Sequence, residues 1–300
     1  MPNRSPSQSA LVGAFAAIYI IWGSTYLGIA VALESLPPFT LAAFRFLAAG
    51  GCLTLWALAR GVAPPTGRQL AMTALLGLLF LVIGNGAVVW AEQRVPSGLT
   101  SLLVAVTPIW TALALWALPG GRAPSGGMIL GLATGFLGTA LLVAPGQVGG
   151  APVDRAGAVA LNVASLSWAL GSVLTPRLDL PRSGPLSSGL QMLTAGVMLF
   201  LVALATGDFA RFDPSAVTAR SLAALLYLIV FGSLVAFSAF AWLLRVSTPA
   251  RLSTTSYVNP VVAVFLGWLL AGEPVTLRTF IAGGLIVGAV AVIVTVRGRR

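Results

Sequence analysis

Apolar runs of bilayer-crossing length, separated by short gaps rich in Pro, Gly and Arg, follow one another along the whole chain. A helical span needs roughly 20 predominantly apolar residues. Ten stretches meet that length, at approximately 10–33, 37–59, 69–91, 96–118, 127–145, 156–176, 185–206, 219–245, 250–271 and 275–297. The gaps, such as Pro64-Pro65, Pro119-Gly120-Gly121, Pro145 to Pro152 and Asp213-Pro214, are too short to hold a folded domain. The expected fold is therefore an all-α integral membrane protein, one transmembrane domain of ten transmembrane helices behind a polar cytoplasmic tail, residues 1–9. No small-residue cleavage site follows the first run, which reads as a retained helix and not as a signal peptide.

The runs are not independent. Trp90 and Trp242 are separated by 152 positions, as are Pro108 and Pro260, and Gly131-Leu132-x-x-Gly135 matches Gly284-Leu285-x-x-Gly288 at 153. The spacing divides the chain into a first five-helix repeat, 10–145, and a second, 156–297. Five is odd, so the second repeat starts from the opposite face of the membrane. The two are expected to be inverted about a pseudo-two-fold axis in the membrane plane, the arrangement that supports alternating access.

Composition agrees: 58% of the 300 residues are hydrophobic, 8% are charged and the mean hydropathy is +0.97, outside the range of soluble domains. A net charge of +10 raises nucleic acid as a partner, but the Arg residues lie almost entirely in the gaps, so they report topology. Eleven (Arg4, Arg60, Arg68, Arg122, Arg177, Arg182, Arg245, Arg251, Arg297, Arg299, Arg300) fall on the side of the termini, against five (Arg94, Arg155, Arg211, Arg220, Arg278) opposite. Both termini are expected to be cytoplasmic. With no His and a single Cys, Cys52, metal sites, disulfides and His-based catalysis have almost no ligands to draw on. No cofactor, no metal and no enzyme activity are expected.

Polar residues inside the runs carry the candidate chemistry, because hydroxyls, amides and prolines in hydrocarbon need partners or a wet cavity. The stretch Leu252 to Pro260 (Leu-Ser-Thr-Thr-Ser-Tyr-Val-Asn-Pro) and its counterpart Thr100 to Pro108 each place a hydrogen-bonding side chain, Asn259 or Thr107, directly before a mid-helix proline. Pro108 and Pro260 each remove a backbone donor and free the carbonyl four residues back, Val104 or Ser256. Thr100, Thr107 and Thr111 share a face with Trp110 beside it. Thr255, Ser256 and Asn259 share another, with Tyr257 to one side. A third stripe joins Asn162, Ser165, Ala169 and Ser172, with Trp168 adjoining. Trp22, Thr25 and Tyr26 cluster in the first run, Gly84-Asn85-Gly86 forms a soft point in the third, and Tyr227, Phe231, Leu234, Ser238 and Trp242 align in the eighth. Aromatic walls with few polar anchors suit a small amphipathic organic molecule. Plain helix packing is the alternative for the hydroxyl and proline sites, and an interfacial belt is the alternative for Trp90 and Trp242. Gly127, Gly131, Gly135, Gly284 and Gly288 form small-residue faces suited to close helix packing. Arg45 is the one charge well inside a run, roughly 10 Å from its outer end at 1.5 Å per residue. Its compensation is sought in Glu34, Glu92 or Glu273, in freed carbonyls, or in a substrate carboxylate.

Trp22-Gly23-Ser24-Thr25, Arg45, Thr107-Pro108, and Pro260 with Gly272-Glu273 closing the ninth run resemble the drug/metabolite transporter superfamily in its EamA-type ten-helix branch. The resemblance covers the whole chain. It implies export of small organic metabolites, amino acids among them, through a central cavity lined mainly by helices other than the fifth and tenth. The resulting expectation is an exporter of small amphipathic metabolites, amino acids first, working in the bacterial inner membrane as a monomer or homodimer. Its cavity residues are those named above, and Pro108, Pro260, Gly84 and Gly86 are hinges. A passive channel, or a membrane scaffold or receptor without a cavity, is the competing class. No acidic residue lies mid-span, so the intramembrane carboxylate relay of many proton-driven carriers is not evident.

Overall fold

A computed structural model describes residues 7–117, 126–143, 154–247, 249–252 and 254–298. Among the described residues every regular element is helical. Helices α1 (Gln8–Ala32), α2 (Pro38–Ala59), α3 (Gly67–Ala91) and α4 (Ser97–Ala117) are long and apolar enough to cross a membrane. Next comes the shorter apolar α5 (Gly126–Val143). Helices α6 (Arg155–Arg177), α7 (Gly184–Ala205) and α8 (Ala219–Val246) again have spanning length. The series closes with α9 (Thr255–Ala271), with the helical turn Pro249–Leu252 before it, and α10 (Leu277–Gly298), both apolar. The gap residues Pro119 to Gly121 and Pro145 to Pro152 lie outside the described residues.

Local chemistry sets the ends. Thr66 and Gln69 form a reciprocal capping box at the start of α3, and Asp154, Ser183 and Thr218 accept from backbone N–H groups at the starts of α6, α7 and α8. Pro38 opens α2, where its missing N–H is no loss. A carboxylate from elsewhere completes that end: Asp208, only 1% exposed, accepts from Phe39 N at 2.7 Å. Gly272 closes α9 in the left-handed conformation, φ 65°, where a side chain would be strained.

Three helices are interrupted. α4 consists of Ser97–Val104 and Thr107–Ala117, broken at Ala105 and Val106 just before Pro108. Pro260, by contrast, is accommodated inside α9. α3 and α8 each contain a wide, π-type stretch, Leu78–Asn85 and Leu228–Phe237. Shifting the first by the repeat spacing of 152 gives 230–237, inside the second.

The packing pairs follow the same exchange. α2 lies against α7 and α5 against α10, while α1 meets α8 and α9 as α6 meets α3 and α4. Backbones touch where α2 crosses α7: a Cβ on Gly50 would stand 2.3 Å from Leu193 N. Close approach is what small residues provide in a membrane bundle. Gly135 and Gly138 do the same for α5, facing Ala289 and Ile286 of α10. Within the chain, Gly284 and Gly288 do not make the close helix contacts expected of them. Neither has a neighbour within 4 Å of a notional Cβ, because α10 turns Ala282, Ile286 and Ala289 inward instead. Gly284 lines an apolar cleft of about 730 Å³ between α9 and α10, with Val261, Phe265, Trp268 and Phe280.

Candidate functional site

A cavity of about 130 Å³ lies between α1, α2, α3, α4, α6, α8 and α9. Among the described residues none from α5, α7 or α10 lines it. Twelve residues singled out in the sequence meet there: Trp22, Thr25, Tyr26, Arg45, Gly84, Asn85, Thr107, Trp168, Thr255, Ser256, Asn259 and Pro260. Its apolar wall is aromatic. Trp22 and Trp168 stand edge to face at 5.5 Å, backed by Phe240 at 5.0 Å from Trp22 and by Phe80 at 4.9 Å from Trp168. Trp22 is fixed by donating from Nε1 to Gly232 O at 3.3 Å.

Arg45 is 4% exposed. Its Nε donates to Ser233 Oγ at 2.8 Å and its guanidinium lies over the Phe46 ring at 4.9 Å. Gly232 leaves room for it: a Cβ there would stand 2.9 Å from Nη2. Nη1 is buried without a partner. Among the described residues no carboxylate is within ion-pair distance of Arg45. Glu34 pairs instead with Arg220 at 3.5 Å, and Glu273 is held at the start of α4. Asn85, at the end of the wide stretch of α3, contributes a second orphan, its buried Oδ1. The cavity thus holds an unsatisfied cationic donor and an unsatisfied acceptor, each costly to bury alone.

Other expected residues fall outside the lining. Thr111, Asn162 and Ser172 return their polar groups to carbonyls of their own helices, the usual local solution for such side chains. Ser165, fully buried, donates to Leu161 O and lies 3.3 Å from Val104 O. Thr107 Oγ1 also donates to Val104 O, at 2.7 Å. The carbonyl freed at the Pro108 break is therefore taken up by hydroxyls from two helices. Tyr227 pairs with Ser24. Trp110 packs on Phe136 with its Nε1 unpartnered, and Ser238 Oγ is also buried without a partner. Pro108 and Gly86 are buried in packing positions. The side chain of Tyr257 lies outside the described residues. Asn259, 9% exposed, directs its amide at the Ile18 and Tyr19 carbonyls, both 3.3 Å from Nδ2 in the orientation that satisfies it, so it ties α9 to α1 as well as lining the cavity. Trp90 carries Arg94 over its ring at 4.3 Å.

The sequence passed over Gly232, Ser233 and Phe46, which surround the Arg45 guanidinium. Small residues in an apolar run carry no signal of their own. A hydroxyl opposite a buried arginine becomes meaningful only once α2 and α8 are known to touch.

Comparison with known proteins places these observations among relatives. The model of the EamA-like transporter family matches residues 9–144 and 155–295. The inner membrane transporter YedA of Escherichia coli (strain K12) is 41% identical over 284 residues, covering 94% of this chain and 90% of that one. The protein PecM of Dickeya dadantii is 30% identical, over 90% of this chain and 85% of its own. A probable terminal-alkyne amino-acid exporter of Streptantibioticus cattleyicolor is 27% identical, over 95% and 93%. A solved crystal structure is similar at a TM-score of 0.66 and 23% identity, covering 99% of this chain and 100% of that one, which bears on the fold alone.

Proposed function

Since the chain belongs to the EamA-like transporter family of the drug/metabolite transporter superfamily, we propose that this membrane transporter exports small zwitterionic metabolites, neutral and aromatic amino acids first. The observation that carries the reading is the pair of orphans in one aromatic-walled cavity. Arg45 Nη1 is a cationic donor without an acceptor, and Asn85 Oδ1 an acceptor without a donor. An amino acid supplies both partners, its carboxylate to the guanidinium and its ammonium to the amide oxygen. Its side chain would lie against Trp22 and Trp168. The similarity to a probable terminal-alkyne amino-acid exporter of Streptantibioticus cattleyicolor agrees with this class.

Transport is proposed to run by alternating access between inverted repeats, 10–145 and 156–297, with both termini in the cytoplasm and Pro108, Pro260, Gly84 and Gly86 as bending points. Support comes from the repeat spacing, the matched wide stretches of α3 and α8, and packing pairs that map onto one another when the halves are exchanged. Counterflow of labelled L-phenylalanine in proteoliposomes tests the substrate class. Competition by L-phenylalanine, stronger than by its amide or its deaminated acid, is expected. Equal competition by all three would remove the zwitterion site.

A further inference from the structure

Glu92 is the buried carboxylate that the transport reading leaves without a role. It follows the last residue of α3, and Asn85, Val88 and Glu92 share one helical face at i, i+3 and i+7. Asn85 and Val88 line the cavity, and Glu92 continues that face beyond the lining. It is 9% exposed, and neither carboxylate oxygen has a hydrogen-bond partner. A carboxylate so placed is either uncomfortably charged or carries a proton. The groups facing it are few. Arg45 of α2 and Tyr26 of α1 line the same cavity as Asn85 and Val88 and are near enough for charge to act between them and Glu92, as is Glu273 from the turn after α9. Asp154 starts α6, which packs against this end of α3, but it is held by Gly157 N at 2.6 Å. Arg94, two residues on, is stacked over Trp90.

Resting on the zwitterion reading of the cavity, we propose that Glu92 is a proton-binding site coupled to substrate through Arg45, so that binding a carboxylate substrate takes up one proton. In the empty carrier an ionised Glu92 offsets the Arg45 guanidinium. A substrate carboxylate on Nη1 would place two anions around one cation in a low-dielectric site, where repulsion is large. Protonating Glu92 relieves it: one solvent proton joins one carboxylate oxygen, and the Arg45 charge is left to the substrate. Burial first, and then Glu273, already push the Glu92 carboxyl well above the usual carboxylate range, against the pull of Arg45. An anion bound at Arg45 would raise it further.

The sign is fixed by that ordering. Substrate raises the affinity of Glu92 for its proton, so protons raise the affinity for substrate. Binding is tightest below the pH at which the empty carrier loses the Glu92 proton and weakens by up to about tenfold per pH unit above it. It levels off once the loaded carrier also loses that proton. Substrate therefore binds most tightly at low pH, and one proton is bound together with each substrate molecule across that window.

Calorimetric titration of the purified full chain with L-phenylalanine, in two buffers of different ionisation enthalpy, counts the protons taken up. Wild type is expected to take up a proton over the window in which its affinity falls with pH. E92Q, which resembles the protonated group, should bind tightly at every pH with no net uptake. Binding by wild type that is independent of pH, or equal proton uptake in E92Q, overturns the coupling while leaving the substrate reading intact. Failure of phenylalanine and its homologues to bind at all overturns the substrate reading. The Glu92 site is then judged without substrate, from the infrared carboxyl band that E92Q abolishes. That band should persist well above the ordinary glutamate pKa of about 4.3 and to still higher pH in R45Q. Titration at the ordinary value, or indifference to R45Q, overturns it.

Discussion

Glu273 reaches from the turn after α9 to the start of α4 and grips Ser97 with one carboxylate oxygen, accepting from its backbone N at 2.8 Å and its Oγ at 2.7 Å. The other oxygen accepts from Gly98 N at 2.9 Å. Two glycines make the fit possible, since a Cβ on Gly267 would stand 2.5 Å from that second oxygen and one on Gly98 3.2 Å. The carboxylate satisfies exposed N–H groups at a helix start, where the dipole also favours negative charge. At the spacing of 152 that pairs Trp116 with Trp268, Gly121 stands in the sequence where Glu273 does. The clasp thus joins the end of α9 to the start of α4.

Loosening the clasp should favour opening on its side. Hydrogen bonds to a charged group are each worth roughly 1.5–3 kcal/mol, and about 1.4 kcal/mol shifts a two-state population tenfold. In a C52S background, a cysteine at Pro96 should label at least about tenfold faster in Glu273→Gln than with the native carboxylate. Equal labelling rates would show that the clasp does not hold the closed state.

Arg45→Ala should remove preference for the substrate carboxylate, and Arg45→Lys should restore it only partly, because an ammonium cannot donate to Ser233 and a carboxylate in the same planar geometry. Asn85→Leu should weaken binding of the zwitterion by about tenfold or more, as expected for one hydrogen bond to a charged group. The deaminated acid should be unaffected. Binding curves for the two ligands against the three variants check both ends of the site.

Pro260→Ala should restore a backbone donor in α9 and slow initial transport rates more than it weakens binding. Asn259→Ala should act differently, since its amide spans to the Ile18 and Tyr19 carbonyls. It should cost roughly 0.5–1.5 kcal/mol of stability or binding for each ordinary hydrogen bond lost. Thermal unfolding, binding and initial rates measured together separate a bending point from a tie between helices.

Topology is open to direct labelling. Cysteines near Arg4, Arg122 and Arg300 should react only from the cytoplasmic side, and those near Asp154 and Asp213 only from the other. Reaction of both groups from one side would remove the inverted arrangement.

Much of this was legible from the residues because it depends on local chemistry. Length and apolarity gave the runs, and the position of Pro108 marked the break in α4. Trp22, Arg45, Asn85 and Trp168 stood out as polar or aromatic residues in hydrocarbon, and they do meet in one cavity. Ser165 and Thr111 were equally conspicuous, but a hydroxyl in a helix usually bonds back to the carbonyl a turn earlier, and both do. The wide turns of α3 and α8 left no mark on the apolar pattern, although the soft point named at Gly84-Asn85-Gly86 falls at the end of the first. Glu92 stood out only as a candidate partner for Arg45, because its burial depends on α2 and α6 packing against the end of α3.

Those wide turns give the bundle a property that straight α-helices lack. A π stretch carries surplus residue within its hydrogen-bond ladder, and passing that surplus along exchanges bonds one at a time without severing the helix. Each residue it passes is re-aimed by about 100°, one step of the helical spiral. Gly84 and Asn85 stand in one such stretch, and Gly232 and Ser233 in the other. A ripple travelling through α3 or α8 would swing the amide, or the seat of the guanidinium, out of the chamber while both helix ends stay put. On the proposed transport reading, the slack needed to let go of a cargo is wound into the chamber walls themselves.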